Sequence, residues 1–315
     1  MNAFMAVLRK ELADHFSSKR FIILFLLVYV AGLIAIYTAG QNIRNEVDEN
    51  TRFIFLRLFL TSGEAIPAFP FFISLFVPIM GIALGFDAMN RERQSGNLSR
   101  VLSQPLFRDN LINAKFAAGV IVLAVLITSI TAIVAGMGLR MIGVPPGSEE
   151  ILRLIFFVVV TIVYGAFWMA LAVLFSILFD RIATSALASI AVWVFFFFFM
   201  GVISSAVANA MAPVSQSSQL PELMRNVQIN NVISRISPTT LYGESIQAIL
   251  MPELGNASAA LAIISIATQG MMPTPLPAGQ SLLVVWPQLV TLIALSALCF
   301  VIGYIRFMKE EIRST

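Results

Sequence analysis

The sequence predicts an all-α integral membrane protein with six transmembrane helices and both termini cytoplasmic. Three observations lead there: a shortage of charge, six apolar windows of spanning length, and a lopsided distribution of Lys and Arg. Of the 315 residues, 58% are apolar and 12% charged, and the mean hydropathy is +0.89. A soluble domain carries about a quarter charged residues. A chain so poor in charge cannot cover a water-facing surface, so its apolar excess faces lipid. That excludes a soluble enzyme, a disordered chain and a secreted disulfide scaffold. A single cysteine, Cys299, rules out an internal disulfide, and a single histidine, His15, rules out a His-rich metal site. The net charge of +3 is too small to indicate a nucleic-acid binder.

Taken in order, residues 1–20 come first. Phe4, Leu8, Leu12 and Phe16 recur every fourth residue with Val7 beside them, and Arg9, Lys10, Glu11 and Asp14 take the other side. This pattern predicts an amphipathic helix in the headgroup plane, stripe down and charges in water. A bilayer core about 30 Å thick needs about 20 apolar residues per helix. Windows meeting that need run over 21–38, 65–86, 116–137, 154–179, 182–207 and 282–307. Pro67 and Pro70 delay or kink the start of the second. The first is read as a retained span rather than a signal peptide, because a long charged stretch precedes it and no good cleavage site follows. Two shorter apolar stretches, 53–60 with its Arg57 and 257–267, are too short to count.

Thirteen of the twenty Lys and Arg fall on the side that holds the N-terminus, the loop 87–115, the turn at Asp180 and Arg181, and the C-terminus. Lys and Arg resist translocation, so that side is cytoplasmic. Residues 208–281 then form an outer segment with re-entrant pieces, and 308–315 a cytoplasmic tail.

The connection 87–115 is long and charged, and placing it in lipid is prohibitively costly. Within it Leu98, Val101 and Leu102 share one face of a short helix, bounded by Gly96 and Pro105. An apolar knob with a basic rim suits docking into a groove of another protein. The order Glu92, Gly96, Leu98, Leu102, Pro105, Arg108 and Lys115 resembles the coupling segment of permease subunits of ATP-binding-cassette transporters, in the type-two exporter family. Asn97 and Ala114 depart from that family's threonine and glycine. Ser237 and Pro238, followed by the helix-like stretch through Tyr242 to Leu250, are similar to the Ser-Pro motif those permeases carry before the last span.

The resemblance implies a transport subunit that is not itself an enzyme. Two permeases, identical or paralogous, would work on a dimer of ATP-hydrolysing subunits. ATP and Mg would stay on the partner, with no cofactor bound by this chain. No Gly-x-x-x-x-Gly-Lys-Ser/Thr loop occurs in the sequence, in keeping with that division. Leu98, Val101 and Leu102 would dock the ATPase, Glu92, Arg93 and Arg108 would orient the contact, and the helix with Leu8, Leu12 and Phe16 would brace it. The expected cargo is amphiphilic or lipid-like, moved outward across a plasma membrane of prokaryotic inner-membrane type.

Other residues suit roles of their own. Gly81 and Gly85 form a Gly-x-x-x-Gly pair suited to close helix packing. Tyr164, Trp168, Ser189 and Trp193 are polar or amphipathic groups within spans that would line a path or satisfy helix contacts. The methionines of 208–281 lack Cys or His neighbours, so no metal site is expected. Two other functions stay open in the sequence. One is a non-transporting assembly protein holding an extracellular accessory partner through 208–281. The other is an ion-coupled transporter, for which the windows lack a central carboxylate.

Overall fold

Each apolar window folds as a long helix, because in lipid a backbone must satisfy its own N–H and C=O groups. The computed structural model describes residues 3–46, 53–62, 66–94, 108–214, 220–251 and 277–309. Among these, all regular structure is helical: α1 (Ala3–Ser17), α2 (Lys19–Glu46), α3 (Ile54–Leu60), α4 (Phe69–Gly85), α5 (Asn90–Gln94), α6 (Arg108–Ile142) and α7 (Ser148–Leu178). Then come α8 (Ile182–Val194), a π turn (Phe195–Phe199), α9 (Met200–Met211), α10 (Leu220–Ser234), α11 (Pro238–Leu250) and α12 (Ala278–Lys309).

Six helical stretches are long and apolar enough to cross a membrane: Lys19–Asn42, Phe69–Gln94, Asp109–Ile142, Ser148–Leu178, Ile182–Met211 and Ala278–Lys309. They match the six sequence windows and extend several of them by a turn or more. Stretch 53–60 is the short helix α3 and not a span, whereas 257–267 lies outside the described residues.

Proline placement explains two local features. Pro70 sits in the first turn of α4, where a missing N–H costs nothing. Pro78 is inside α4 and leaves the Ser74 carbonyl without its helical donor, and the Tyr164 hydroxyl donates to that carbonyl at 3.3 Å.

α7 is the spine of the bundle. Trp168, Tyr164 and Phe157 on it are fully buried, and α4, α6, α11 and α12 pack around it. A close seam runs between α7 and α4. A Cβ on Gly81 would lie 2.5 Å from the Gly165 carbonyl oxygen, and one on Gly85 would lie 2.7 Å from that of Met169. Only a residue without a side chain lets these two backbones approach so closely.

α10 and α11 form a hairpin whose α11 arm packs into the bundle. Its turn is level with the middle of two spans: the Ser237 hydroxyl donates to the Phe196 carbonyl at 3.4 Å, and the Thr239 and Tyr164 hydroxyls are 3.2 Å apart. Of the described helices in 208–281, α11 packs on α7 and α12, whereas α10 packs on α9 and has no buried residue.

At the end of the bundle away from the termini, charges that the sequence assigned to a loop are buried. Arg153 is fully enclosed, donating to the Ile249 carbonyl (2.8 Å), the Ser281 hydroxyl (3.1 Å) and the Glu149 carboxylate (2.9 Å). Glu150 accepts from the backbone of Phe55, Leu56 and Gly147. Four elements, α3, α7, α11 and α12, are thereby tied at one point.

Candidate functional site

The site that the sequence marks lies where α5 hands the chain to segment 95–107 and α6 takes it back. Gly96, Leu98, Val101 and Leu102 lie outside the described residues, and Arg108 opens α6. What the structure gives is the footing of that segment.

That footing is an ion cluster between three helices. The Lys115 ammonium on α6 donates to Glu11 of α1 at 2.9 Å and to Glu92 of α5 at 3.1 Å. Lys10 approaches Glu11 at 3.4 Å and Glu92 at 3.8 Å. Lys115 is the shared cation for two nearly buried carboxylates, so neither carboxylate is left to bear its desolvation alone. Burial by itself pushes the Glu11 carboxyl up, but the Lys115 charge beside it reverses this and holds it below its ordinary value. Burial also lowers the nearby His15. The sequence placed Glu11 on the water side of α1; it is in fact buried, because Phe4, Val7 and Glu11 follow the same helical spacing and share the packed face. That spacing was the signal a sequence reading had available.

The predicted stripe of α1 holds together except at its end. Leu8 packs on Ala114 and Ala118 of α6, with Phe4, Val7 and Leu12 alongside, whereas Phe16 is exposed and meets Phe21 edge-on. Alanines at 114 and 118, one turn apart, give the flat surface on which the stripe sits.

α5 is fastened to the foot of α7 as well. The Ser176 hydroxyl accepts from the Met89 and Asn90 backbone N–H groups at 2.9 and 3.2 Å, satisfying donors at the start of a short helix. Arg93 donates to the Ile177 carbonyl at 3.2 Å and approaches Asp180 at 3.9 Å. Arg20 pairs with Asp87 at 2.8 Å and lies over the Phe86 ring. The sequence names Ser176 as a path candidate and Lys10, Glu11, Arg20 and Asp87 only as flanking charges; their pairing is not legible there, because the partners are brought together from 67 to 104 residues away. A cavity of about 470 Å³ opens beside the cluster, with Lys10, Asp14, His15, Arg20 and Arg91 at its polar side and Leu24, Met80 and Met169 at its apolar floor.

The other predicted residues are placed inside the chain. Gly81 and Gly85 face α7. Tyr164 stacks on Tyr242 with ring centres 4.2 Å apart, and Trp168 packs edge-on against Tyr164. Ser189 bonds its own helix at the Ser185 carbonyl, and Trp193 packs on Phe197. All four of these polar or aromatic residues are buried in the described fold. Among the described residues no cluster of His, Cys, Asp and Glu could hold a metal ion.

The second and third of the long apolar helices are thus pinned at the feet of one charged connection. Comparison with curated proteins gives no match. Comparison with family models matches residues 5–312 to the ABC-2 family transporter protein. With nearly its whole length covered, this chain belongs to the ABC-2 transporter family, as a multi-pass membrane component of the permease type.

Proposed function

We propose that this chain is the export permease of an ATP-driven transporter, with both termini and segment 95–107 in the cytoplasm of a prokaryotic inner membrane. Two permeases, identical or paralogous, sit on an ATPase dimer that holds ATP and Mg. Leu98, Val101 and Leu102 dock into that dimer, and the cargo is an amphiphilic or lipid-like molecule moved outward.

One observation carries this reading. Both feet of segment 95–107 are bolted to one platform by the Glu92–Lys115–Glu11 cluster, while Ser176 and Asp180 hold α5 against α7. A push on the segment therefore moves α4 and α6 together with α1 and α7 instead of being absorbed by a slack loop. The glycine seam between α4 and α7 passes that movement into the bundle core.

The test is co-purification from detergent followed by ATP turnover. An ATPase subunit is expected to accompany the chain. Leu98→Asp with Leu102→Asp, which places two charges on the docking knob, is expected to release it, with the permease itself still folded. An ATPase that stays bound to the doubly substituted chain, or a chain that purifies without any ATPase, would overturn the proposal.

A further inference from the structure

The α10–α11 hairpin places an ion pair where lipid does not tolerate one. Tyr164 and Phe196, which meet the hairpin turn, are at the midpoints of Ser148–Leu178 and Ile182–Met211. From Thr239 at that level, α11 climbs ten residues, about 15 Å, to Ile249 beside Arg153. That rise is about half the hydrocarbon thickness of a bilayer. Glu244 lies halfway up. Gln288, seven residues or about 10 Å below Ser281 on α12, donates to Glu244 at 3.1 Å and so shares its depth.

Arg235 at the turn donates Nε to both Glu244 oxygens at 3.0 Å, and its side chain is 49% exposed against 24% for Glu244. Among the described residues its two Nη groups have no hydrogen-bond partner, and the Gln288 carbonyl has none either. The descending arm adds polar groups at Gln228, Asn230 and Asn231, while Val232 and Ile236 beside Arg235 are exposed apolar groups. Ionisable groups at this depth face water or a polar partner, not lipid tails. The outward-turned edge of a guanidinium presents a planar pair of donors suited to an oxyanion.

We propose that Arg235, with Glu244 and Gln288 behind it, is a hydrated oxyanion site in the half of the membrane away from the termini. It receives the phosphate or carboxylate head of an amphiphile whose chains lie along Val232 and Ile236. Glu244 fixes the guanidinium through Nε and leaves the Nη edge for the ligand. A second copy closing over the site dry would strand those donors unless it brought a carboxylate of its own.

This rests on the permease reading only for the amphiphile being cargo. The experiment is therefore run on the full chain in nanodiscs, with both faces open and no ATPase needed. In a Cys299→Ser background, Arg235→Cys is expected to react with a charged methanethiosulfonate about tenfold faster than Val290→Cys, an exposed α12 position near the same depth. Equal rates would mean that lipid or a second copy seals the site, and would overturn the proposal. Native mass spectrometry from discs of equal phosphatidylglycerol and phosphatidylcholine gives the second readout. Wild type should retain phosphatidylglycerol, Arg235→Lys should keep a part, and Arg235→Gln should lose about tenfold while unfolding at the wild-type temperature. Retention unchanged in Arg235→Gln refutes the site, and complete displacement by millimolar inorganic phosphate refutes the amphiphile as its ligand. Loss of ATPase docking with these results intact would sink the permease reading alone.

Discussion

Replacing Gly81 by alanine tests the α4–α7 seam with a single methyl group. The new Cβ would stand 2.5 Å from the Gly165 carbonyl oxygen, 3.1 Å from the Met169 nitrogen and 3.2 Å from the Trp168 Cβ. Ordinary contact begins near 3.4 Å, so the helices must part by about 0.9 Å at this point. The nearest two atoms are backbone, so no side chain can swing aside to absorb it. Overpacking of this kind costs about 1–3 kcal/mol, offset by up to about 1 kcal/mol from alanine's better helix propensity. The net loss, about 0–3 kcal/mol and centred near 1.5, lowers the unfolding temperature by a few degrees for a chain of this size. The assay is thermal unfolding of the purified protein followed by tryptophan fluorescence, with Gly136→Ala as control, because a Cβ there meets nothing within 4 Å. Adding Gly85→Ala, one turn along the same seam, should cost less than it does alone, since the helices have already separated. A Gly81→Ala protein that unfolds no earlier than wild type, or a control that falls as far, would refute the seam as described.

Three further outcomes are expected. Lys115→Met removes the closer and more buried of the two cations at Glu11 and Glu92, leaving the exposed Lys10 at 3.4 and 3.8 Å, and should destabilise by about 1–3 kcal/mol, whereas adding Glu11→Gln and Glu92→Gln should recover part of the loss on the same unfolding assay. Acidification should weaken the terminal end in two stages. His15 is held below its ordinary value, so its contribution is complete above about pH 6.5 and fades as pH falls through the lower folded value. Glu11, also held low, contributes above about pH 4 and is lost below, so Glu11→Gln should flatten the second stage of an unfolding-temperature against pH curve. Arg153→Met should cost about 3–5 kcal/mol and speed amide exchange in α11, because the Ile249 carbonyl, Ser281 and Glu149 lose their common donor.

The sequence alone determined the class of fold and where the spans run, because both follow from composition and a one-dimensional count. A charge-free run of about 20 residues has few alternatives to a membrane helix. Family resemblance was legible for a similar reason: Glu92, Gly96, Leu98, Leu102, Pro105, Arg108 and Lys115 stand in a fixed order along the chain, whatever their partners. Which face of each helix turns inward was not legible, since nearly every face is apolar and lipid is as good an apolar neighbour as protein. Tertiary structure alone decided that Gly81 and Gly85 meet Gly165 and Met169, that Glu11 leaves water for Lys115, and that Arg153 is buried rather than looped out. It also set the depth of Arg235, which the sequence counts with the outer charges, and paired it with Glu244, which the sequence offers only as a re-entrant carboxylate. In each case the partner is far away along the chain, and a polar group's meaning in a membrane is fixed by what it reaches across that distance.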